Sequence, residues 1–309
     1  MSSASSAVDD GHTQPSVWVV IVNWNGAADT VELVDSLLSQ TYPKVEIVVV
    51  DNGSESNDLD VLRARFGSQI RLLALDTNRG CGGGYNAGAE DALENGASYV
   101  VIMNNDMTAA PDMISELVTA VESDSHPAIV GAKIFYSDYE GSRVVLWSAG
   151  GRFHPWGWRV HSRRGAGAID SSCFERDEPV EWVSGATMLF RPDAYRVAGP
   201  FNDRHVLGYE DMEFCRKASS AGRGILFAPR AHSWHKVGIS AEKAHITYTN
   251  PAAYYEFIRT CFPAYVYAWQ LCLLPLLLVR WGIMYLVHSR DPQALKGFAM
   301  QLRALITRH

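Results

Sequence analysis

The sequence predicts an α/β fold built on a mainly parallel β-sheet that is flanked by helices. Two apolar runs, Val17 to Val22 and Val45 to Val50, are rich in β-branched residues and hardly alternate with polar ones, as expected of strands buried on both faces. The run from Tyr99 to Met103 has the same character. A helical pattern between the first two runs completes a strand–helix–strand unit, in which the strands pair in parallel.

Composition limits the class of protein. The chain has 309 residues, 47% of them hydrophobic, and can therefore bury a large core. The formal net charge of −7 argues against a nucleic-acid binder that neutralises phosphates over a broad surface. The 5 cysteines form no CxxC pair, which is typical of a reducing compartment and not of a disulfide framework or a zinc site. Residues 1–15 are polar and small, so we expect a disordered tail without a secretory signal.

Further helices and strands extend the βαβ pattern. Apolar residues at helical spacing follow Asp29, which is suited to cap the first helix, and Leu59 to Phe66 form the second. A strand from Ile70 to Leu75 precedes a helix from Ala87 to Asn95, which leads into the run at Tyr99. This alternation places the carboxyl ends of the parallel strands along one edge of the sheet.

The segment from Asn78 to Gly88 is rich in glycine. Glycine lets the backbone approach a ligand closely or adopt positive φ. The segment contains neither the G-x-G-x-x-G of dinucleotide-binding proteins nor the Gly-Lys-Ser/Thr of a P-loop. Two interpretations stay open, namely phosphate contact ahead of a helix and tight packing of that helix on the sheet.

Polar residues follow each of the buried strands. The clusters are Asn23 with Asn25, Asp51 with Asn52, and Asn104 with Asn105 and Asp106. Each cluster alone would also suit a turn or a helix cap. Together they lie at the sheet edge where open α/β folds bind ligands, and a carboxylate there can hold Mg²⁺ or Mn²⁺. Asp51 could equally accept hydrogen bonds from a nucleotide base or ribose.

The second half adds candidates for catalysis. A strand from Val183 to Phe190 precedes a helix with Glu210 and Asp211 in its first turn, where the helix dipole favours acidic residues. A carboxylate in that position could also act as general base toward an acceptor hydroxyl. His235 follows a short predicted strand and could ligate a metal or hydrogen-bond a diphosphate. The Trp-rich stretch from Trp147 to Arg164 suits a sugar-stacking surface or a small satellite core.

The C-terminal part changes in character. From Cys261 to Val287 the chain is mostly apolar and carries no charge apart from Arg280, although Pro263 and Pro275 interrupt it. Residues 280–309 carry 5 Lys/Arg against 1 acidic residue, which suits an anionic membrane surface. We expect helices that lie at the membrane interface, with a hydrophobic homodimer contact as the alternative and a spanning helix as the least favoured arrangement.

These motifs resemble, in order, those of the family 2 glycosyltransferases, which have the GT-A fold. The likeness runs from Val17 to about Ser240. It rests on Asn23-Trp-Asn-Gly26, Val48-Val-Val-Asp-Asn-Gly-Ser54, Asn78-x-Gly80, Gly83-x-x-Asn86-x-Gly88, Asn104-Asn-Asp106, Gly185-Ala-x-Met-Leu-Phe190, Tyr209-Glu-Asp211 and His235. Within the family the chain is most similar to the rhamnosyltransferase branch, which Tyr254-Tyr-x-x-x-Arg259 also matches.

The resemblance implies an organisation and an activity. Residues 1–15 would be the tail, 16–245 the GT-A domain and 246–309 a hydrophobic helical extension. The enzyme would be an inverting, metal-dependent transferase that moves a sugar to a hydroxyl of a lipid-linked or cell-surface glycan, with L-rhamnose from dTDP-rhamnose as the first choice of donor. It would act in the cytoplasm on the inner face of the cell membrane, with no nucleic-acid partner.

The resemblance also assigns roles to residues. Asp211 would be the catalytic base, and Glu210 would orient the acceptor or the helix. Asp106 and His235 would hold Mg²⁺ or Mn²⁺. The nucleotide sugar would contact Asn23, Asn25, Asp51, Asn52, Asn78, Gly80, Asn86, Asn104, Asn105 and Asp106. The acceptor would contact Trp182, Gly185 and Tyr209.

Two other functions compete with transfer. A sugar-nucleotide pyrophosphorylase needs a glycine-rich loop with Arg and Lys directly after the first strand, and Asn23 to Gly26 contains no basic residue. A non-catalytic domain that only binds a glycan or a partner is the second alternative. The joint presence of Asp51, Asp106, Asp211 and His235 argues against this second alternative.

Overall fold

The structure, a computed structural model, describes residues 14–204, 208–237 and 251–284. The strands are β1 (Val17–Asn23), β2 (Val45–Asp51), β3 (Arg71–Ala74), β4 (Tyr99–Asn104), β5 (Met107–Ala109), β6 (Ile129–Tyr136), β7 (Leu146–Ser148), β8 (Gly151–Phe153), β9 (His161–Arg163), β10 (Glu178–Pro179), β11 (Thr187–Phe190) and β12 (Ile225–His235). The helices are α1 (Ala27–Leu38), α2 (Asp58–Phe66), α3 (Gly80–Glu94), α4 (Met113–Val121), α5 (Pro192–Ala198), α6 (Glu210–Ser220), α7 (Pro251–Cys261) and α8 (Ala264–Met284). Most of the predicted tail, the boundary at 245 and residues 285–309 lie outside the described residues.

One large mixed sheet organises the described chain, in the order β10-β12-β6-β11-β4-β1-β2-β3. Strands β3, β2, β1 and β4 are parallel, whereas β11 runs antiparallel between β4 and β6. The apolar runs read from the sequence form β1, β2 and β4, and they are buried on both faces. The predicted α/β fold with a mainly parallel sheet and flanking helices is confirmed.

The register of the central strands brings the polar clusters together. Asn23 lies opposite Asp51 in the β1–β2 pair, and Val22 lies opposite Asn104 in the β1–β4 pair. The clusters after these strands therefore occupy neighbouring positions on one sheet edge, as the sequence predicts. Helices cover both faces of the sheet. The core on one face includes residues of α3, α5, α6 and α7, and the core on the other includes residues of α1, α2 and α4.

The glycine-rich segment is a helix and not a loop. Helix α3 begins at Gly80, earlier than the predicted start at Ala87, and two of its glycines, Gly84 and Gly88, face the sheet. A Cβ at Gly84 would lie 2.7 Å from Cγ1 of Val22, and one at Gly88 would lie 2.2 Å from Cγ1 of Val20. Because any side chain there would hit β1, the structure supports tight helix–sheet packing, one of the two interpretations that the sequence left open.

The second half of the chain differs from the sequence prediction in two strands, of which β11 begins at Thr187 and not at Val183. The short strand expected near Leu226 is the long β12, so His235 ends a strand instead of following one in a loop. Its pairing with β6 shifts register between Ala228 and His232, which marks a bulge that the sequence does not announce. The bulge lets the second part of β12 continue to the site edge and pair there with β5.

The C-terminal helices are tied to the Trp-rich insertion. Tyr254 and Gln270 are buried, and the Tyr254 hydroxyl donates to Oε1 of Gln270 at 2.8 Å and accepts the Val160 N–H at 3.0 Å. Nε2 of Gln270 donates to the Gly157 carbonyl at 3.0 Å. Helix α7 also packs on α6. Within the part of the chain that the structure describes, no helix combines the length and apolar character needed to cross a membrane.

This connection predicts a loss of stability in Tyr254→Phe. The variant removes the hydroxyl that satisfies the buried Val160 N–H and Gln270 side chain, and leaving such groups unpaired costs about 1–3 kcal/mol. We expect the free energy of unfolding in urea to fall by that amount. Tyr265→Phe is the control because Tyr265 is exposed on the adjacent helix. Equal stability of the two variants would contradict the prediction.

Candidate functional site

Asn23 organises the ends of β1 and β2. Its Nδ2 donates to Asp51 Oδ1 and to Asp58 Oδ2, both at 2.8 Å, and its Oδ1 accepts the Thr30 hydroxyl at 2.7 Å. Asp51 also accepts the hydroxyl of Ser54 at 2.6 Å. Asn23 is buried and its amide is engaged within the protein, so it fixes the ends of β1 and β2 and the position of the Asp51 carboxylate.

Asp58 is a site residue that the sequence prediction missed. Its carboxylate accepts the backbone N–H groups of Gly26 and Ala27 at 2.8 and 3.1 Å, at the start of α1. Burial raises its pKa, but the hydrogen bonds from Ser56, Asn23 and these N–H groups outweigh burial and lower the pKa below its usual value. Asp58 therefore fixes the loop after β1 from a distant helix. An Asp at the start of a helix gives no sequence signal for this contact.

Asn25 joins the same two loops. It has positive φ of 51°, its N–H donates to the Ser54 hydroxyl at 2.9 Å, and its Oδ1 accepts the Glu55 N–H at 2.9 Å. Asparagine tolerates this backbone conformation better than most residues. Asn25 thus shapes the edge of the pocket through its backbone as well as its amide.

The loops after β2 and β3 are held together by amides. Asn52 donates from Nδ2 to Asn78 Oδ1 and to the Gly80 carbonyl, both at 3.0 Å, and its Oδ1 accepts the Arg79 N–H at 3.0 Å. Asn78 Oδ1 also accepts the Gly80 N–H at 2.8 Å. Gly53 has positive φ, and a Cβ there would lie 2.6 Å from the backbone of Thr77. These hydrogen bonds and this close approach fix the two loops against each other.

Asn86 serves the fold. Its Nδ2 donates to the Phe201 carbonyl at 2.9 Å, and its Oδ1 accepts the Phe201 N–H at 2.8 Å. The amide thus pairs with the backbone as a strand would and fixes the segment ahead of α6. The structure places Asn86 behind the site, with its amide engaged by protein, and a direct contact with the nucleotide sugar stays a prediction.

Asp106 and His235 meet at the edge of the sheet. Pairing of β5 with β12 sets Met107 opposite His235 and so brings the preceding Asp106 alongside. Nε2 of His235 lies 3.1 Å from Oδ1 of Asp106, and both side chains are buried. The contact lacks hydrogen-bond geometry, and Oδ1 of Asp106 and Nδ1 of His235 have no hydrogen-bond partner among the described residues.

This pair fits a divalent cation that is shared with a ligand. Mg²⁺ and Mn²⁺ accept carboxylate oxygen, and Mg²⁺ usually completes its shell with substrate phosphates and water. Across residues 14–204, 208–237 and 251–284 no group of three or more His, Cys, Asp or Glu is placed to hold a metal. Asp106 and His235 would therefore supply two ligands and leave the other positions open.

The two asparagines before Asp106 have partners inside the protein. Oδ1 of Asn104 accepts the hydroxyl of Tyr85 at 2.5 Å. Nδ2 of Asn105 donates to the Gly26 carbonyl at 3.4 Å and to the Thr30 hydroxyl at 3.3 Å. Their direct contact with the donor stays a prediction, and the structure gives them the role of joining β4 to α1 and α3.

Asp211 is held by backbone N–H groups. Helix α6 begins directly after Tyr209, which has positive φ of 74°. Oδ2 of Asp211 accepts the Gly185 N–H at 2.9 Å, and Oδ1 accepts the Met212 N–H at 2.7 Å. Burial raises the pKa of Asp211, while these N–H groups and the charge of Arg163 oppose the rise. A carboxylate with a fixed position and a raised pKa is suited to accept a proton.

Carboxylates from both halves of the chain, Asp106 from the first and Glu210 and Asp211 from the second, act on residues of α3. Burial, followed by the charges of Glu210, Asp106 and Asp211, raises the pKa of the Cys81 thiol. The hydroxyl of Tyr85, one turn later on α3, lies 3.5 Å from the Gly185 carbonyl and also contacts Asn104. The sequence singles out the acidic residues separately, and the structure brings them together around α3.

The predicted acceptor residues are close to Asp211 but differ in accessibility. A Cβ at Gly185 would lie 3.3 Å from Cβ of Asp211. Trp182 is buried beneath Gly151, and the ring of Tyr209 stacks on Phe257 at 5.5 Å. Trp182 and Tyr209 thus pack in the main core on the α3 face of the sheet. Contact with an acceptor stays a prediction for all three residues.

The family model described as Glycosyl transferase family 2 matches residues 18–176, more than half of the chain. The chain belongs to glycosyl transferase family 2. The match includes the strand ends around Asp51 and Asp106, whereas Asp211 and His235 follow it in the chain. The resemblance to this family that was read from the motifs is confirmed.

Relatives and solved structures agree with the family. The chain is 29% identical over 218 residues to a glucosyl-dolichyl phosphate glucuronosyltransferase of Haloferax volcanii, covering 67% of this chain and 64% of that protein. It is 25% identical over 257 residues to an N-acetylglucosaminyl-diphospho-decaprenol L-rhamnosyltransferase of Mycobacterium tuberculosis, covering 76% and 79%.

The fold is similar to that of GalNAc-T7, solved with UDP, GalNAc and Mn²⁺. The TM-score is 0.63 at 16% identity, covering 80% of this chain and 48% of that one. This likeness confirms the predicted GT-A fold. The chain spans less than two thirds of the length of GalNAc-T7 and of the glucuronosyltransferase.

Proposed function

We propose that this glycosyltransferase moves a sugar from a nucleotide-sugar donor to a hydroxyl of a lipid-linked or glycan acceptor, with inversion at the anomeric carbon. The observation that carries the proposal is the geometry of Asp211. Its carboxylate is fixed by two backbone N–H groups and shares the space around α3 with Asp106. Family membership favours transfer over the pyrophosphorylase and non-catalytic alternatives.

The residues divide the reaction into two tasks. Asp211 would accept the proton of the acceptor hydroxyl while that oxygen attacks the anomeric carbon, a role worth about 10²–10⁴ in rate. Asp106 and His235 would hold Mg²⁺ or Mn²⁺, which as a Lewis acid neutralises charge on the departing diphosphate. We assign one base and no carboxylate nucleophile. The acceptor oxygen therefore displaces the diphosphate in a single step, which inverts the anomeric carbon.

L-Rhamnose from dTDP-rhamnose is our first choice of donor. The support is the branch-like motif at Tyr254 to Arg259 and the similarity to the rhamnosyltransferase over 76% of this chain. That relative acts on a lipid diphosphate, so we propose a lipid-linked acceptor as well. The similarity to a glucuronosyltransferase at a comparable level supports including other donors in the test.

The test measures release of nucleoside diphosphate from a panel of nucleotide sugars. Each donor is incubated with a polyprenyl-diphosphate-linked sugar in Mg²⁺, Mn²⁺ or EDTA. Release from one donor that requires acceptor and cation would support the proposal. Absence of release together with absence of donor binding would overturn it. Acceptor-dependent release that EDTA leaves unchanged would refute the cation requirement alone.

The pKa of Asp211 predicts the acid limit of the reaction. The base works only as carboxylate, and burial raises its pKa above that of an ordinary aspartate, about 3.9. As pH falls through the raised pKa, Asp211 gains a proton and kcat falls. We therefore expect the acid limb of the kcat–pH profile at a higher pH than the titration of an ordinary aspartate. A profile that stays flat to lower pH would contradict the prediction.

We further propose that the enzyme works at the cytoplasmic face of the cell membrane. Trp156 of the insertion stacks on Tyr265 of α8 at 5.3 Å, and Trp269 lies edge-on to Trp156 at 6.2 Å. All three are exposed, and aromatic side chains favour the lipid–water boundary. The Lys/Arg excess of residues 280–309 adds attraction to anionic lipid.

Vesicle flotation tests this placement. We expect the double variant Trp156→Ala, Tyr265→Ala to bind vesicles of anionic phospholipid several-fold more weakly than the wild type. Val61→Ala is the control because Val61 is an exposed apolar residue of α2, across the sheet. The homodimer alternative would be supported if the wild type does not bind vesicles but forms a dimer, and if the double variant is monomeric. That outcome would overturn the membrane proposal.

A further inference from the structure

Arg163 is a basic residue at the site that the mechanism above does not use. It ends β9, in the Trp-rich insertion, and its guanidinium lies 4.3 Å from the ring centroid of Trp147. Within the described part of the chain the guanidinium forms no hydrogen bond and no ion pair. Stacking on an aromatic ring holds a guanidinium in place while its N–H edge stays available, and Arg163 is exposed.

The basic side chains near Arg163 differ from it because each of them already pairs with a group of the protein. Arg164 pairs with Glu178 at 2.8 Å, Lys133 pairs with Asp170 at 3.0 Å, Lys236 pairs with Asp29 at 2.8 Å, and Arg159 hydrogen bonds to Tyr209. Arg163 is thus the cation of this group that keeps its donors for a ligand.

Trp147 also places Arg163 beside the Asp106–His235 pair. The Trp147 ring meets the imidazole of His235 edge-on, with centroids 4.5 Å apart, and so links the stack to Asp106. The charge of Arg163 also acts on Asp211. The guanidinium is therefore near the Asp106–His235 pair, through Trp147, and within electrostatic range of the base.

The negative charge of the site favours a positively charged side chain at the position of the diphosphate. Asp106, Glu210 and Asp211 are acidic, and the two residues before Asp106 are asparagines engaged within the protein. A departing nucleoside diphosphate adds further negative charge to this space. A planar guanidinium matches phosphate oxygens with paired N–H donors.

We propose that Arg163 is a diphosphate-binding residue, which donates hydrogen bonds to the diphosphate of the nucleotide-sugar donor and of the leaving nucleoside diphosphate. The inference rests on the proposed function. It adds a protein cation to the Asp106–His235 pair, so diphosphate binding would persist in part when divalent cations are removed. The lipid diphosphate of the acceptor has the same chemistry and is the other source to be tested.

Calorimetric titration in EDTA separates these sources. The probes are inorganic pyrophosphate, UDP, dTDP and, in detergent, farnesyl diphosphate. We expect Arg163→Met to raise the Kd for pyrophosphate and for the preferred nucleoside diphosphate by about tenfold or more, as for a lost charge-assisted contact. Arg163→Lys should recover part of the affinity. Arg152→Met is the matched control, because Arg152 lies on the paired strand and binds Glu178.

The Kd values and melting temperatures distinguish the proposal from its alternatives. Weaker nucleotide binding by Arg163→Met with an unchanged melting temperature supports the proposal, because the guanidinium makes no hydrogen bond that the described fold requires. Unchanged Kd values, or weaker binding of farnesyl diphosphate alone, overturn it. A wild type that binds pyrophosphate through Arg163 but binds no nucleotide would support the anion site and refute the proposed donor. Nucleotide binding equal in wild type and variant would leave the proposed function standing without Arg163.

Discussion

Asp211→Asn is expected to lower kcat for sugar transfer by about 10²–10⁴, the usual worth of a positioned general base. The amide cannot accept the proton of the acceptor hydroxyl. Donor binding should stay close to that of the wild type, because the strand ends around Asp51 and the Asp106–His235 pair are unchanged. The measurement compares initial rates of nucleoside diphosphate release at saturating donor with the Kd of that donor.

The control is chosen to match the position of Asp211. Asp193→Asn makes the same chemical change in the first turn of another helix, α5, where the carboxylate pairs with Arg223. It should leave kcat unchanged. Turnover at the wild-type rate by Asp211→Asn would remove the residue from the base role. Loss of donor binding together with a lower melting temperature would show that its hydrogen bonds to Gly185 and Met212 matter mainly for folding.

Gly88→Ala is expected to destabilise the protein by about 3 kcal/mol, at the upper end of the cost of overpacking a core. The new Cβ would lie 2.2 Å from Cγ1 of Val20 and 3.0 Å from Cγ2 of Val50, both in central strands. Helix propensity alone would favour alanine by about 1 kcal/mol, so even the sign of the change tests the packing. The measurement is the free energy of unfolding in urea.

Two further variants isolate the contact. Gly224→Ala places its Cβ no closer than 3.6 Å to any atom, so its stability should be equal to or slightly above that of the wild type. Val20→Ala removes Cγ1 and Cγ2 of Val20, two of the three atoms that the new Cβ would meet, and the double variant should lose less stability than the sum of the single changes. A purely additive result would mean that α3 moves away from β1 without a specific clash.

The glycine-rich segment shows where sequence interpretation reaches its limit. Its composition indicates that backbone must approach something closely, and both a phosphate and a sheet would satisfy that requirement. The choice depends on which direction each Cα faces once α3 lies on the sheet. Gly84 and Gly88 face Val22 and Val20, a fact of packing that no local pattern contains.

For Asn86 and Asn104, too, the sequence does not decide what the side chain contacts. An amide in a motif can contact a ligand or a distant backbone group, and its residue type suits both. Asn86 binds Phe201, which is 115 positions away in the chain, and Asn104 accepts the hydroxyl of Tyr85. Partners so remote in sequence appear only after the sheet and its helices are assembled.

What the sequence determined by itself is the fold class, the family and the candidate carboxylates. Unbroken β-branched runs predict buried parallel strands, and parallel strands end at one edge, so Asp51 and Asp106 had to lie near each other. The tertiary structure alone decided how the rest converges. The bulge in β12 brings His235 to Asp106, positive φ at Tyr209 starts the helix that presents Asp211, and the β8–β9 hairpin sets Arg163 on Trp147. Such contacts depend on long-range pairing and on side chains without a local periodic signal, which is why the sequence could not predict them.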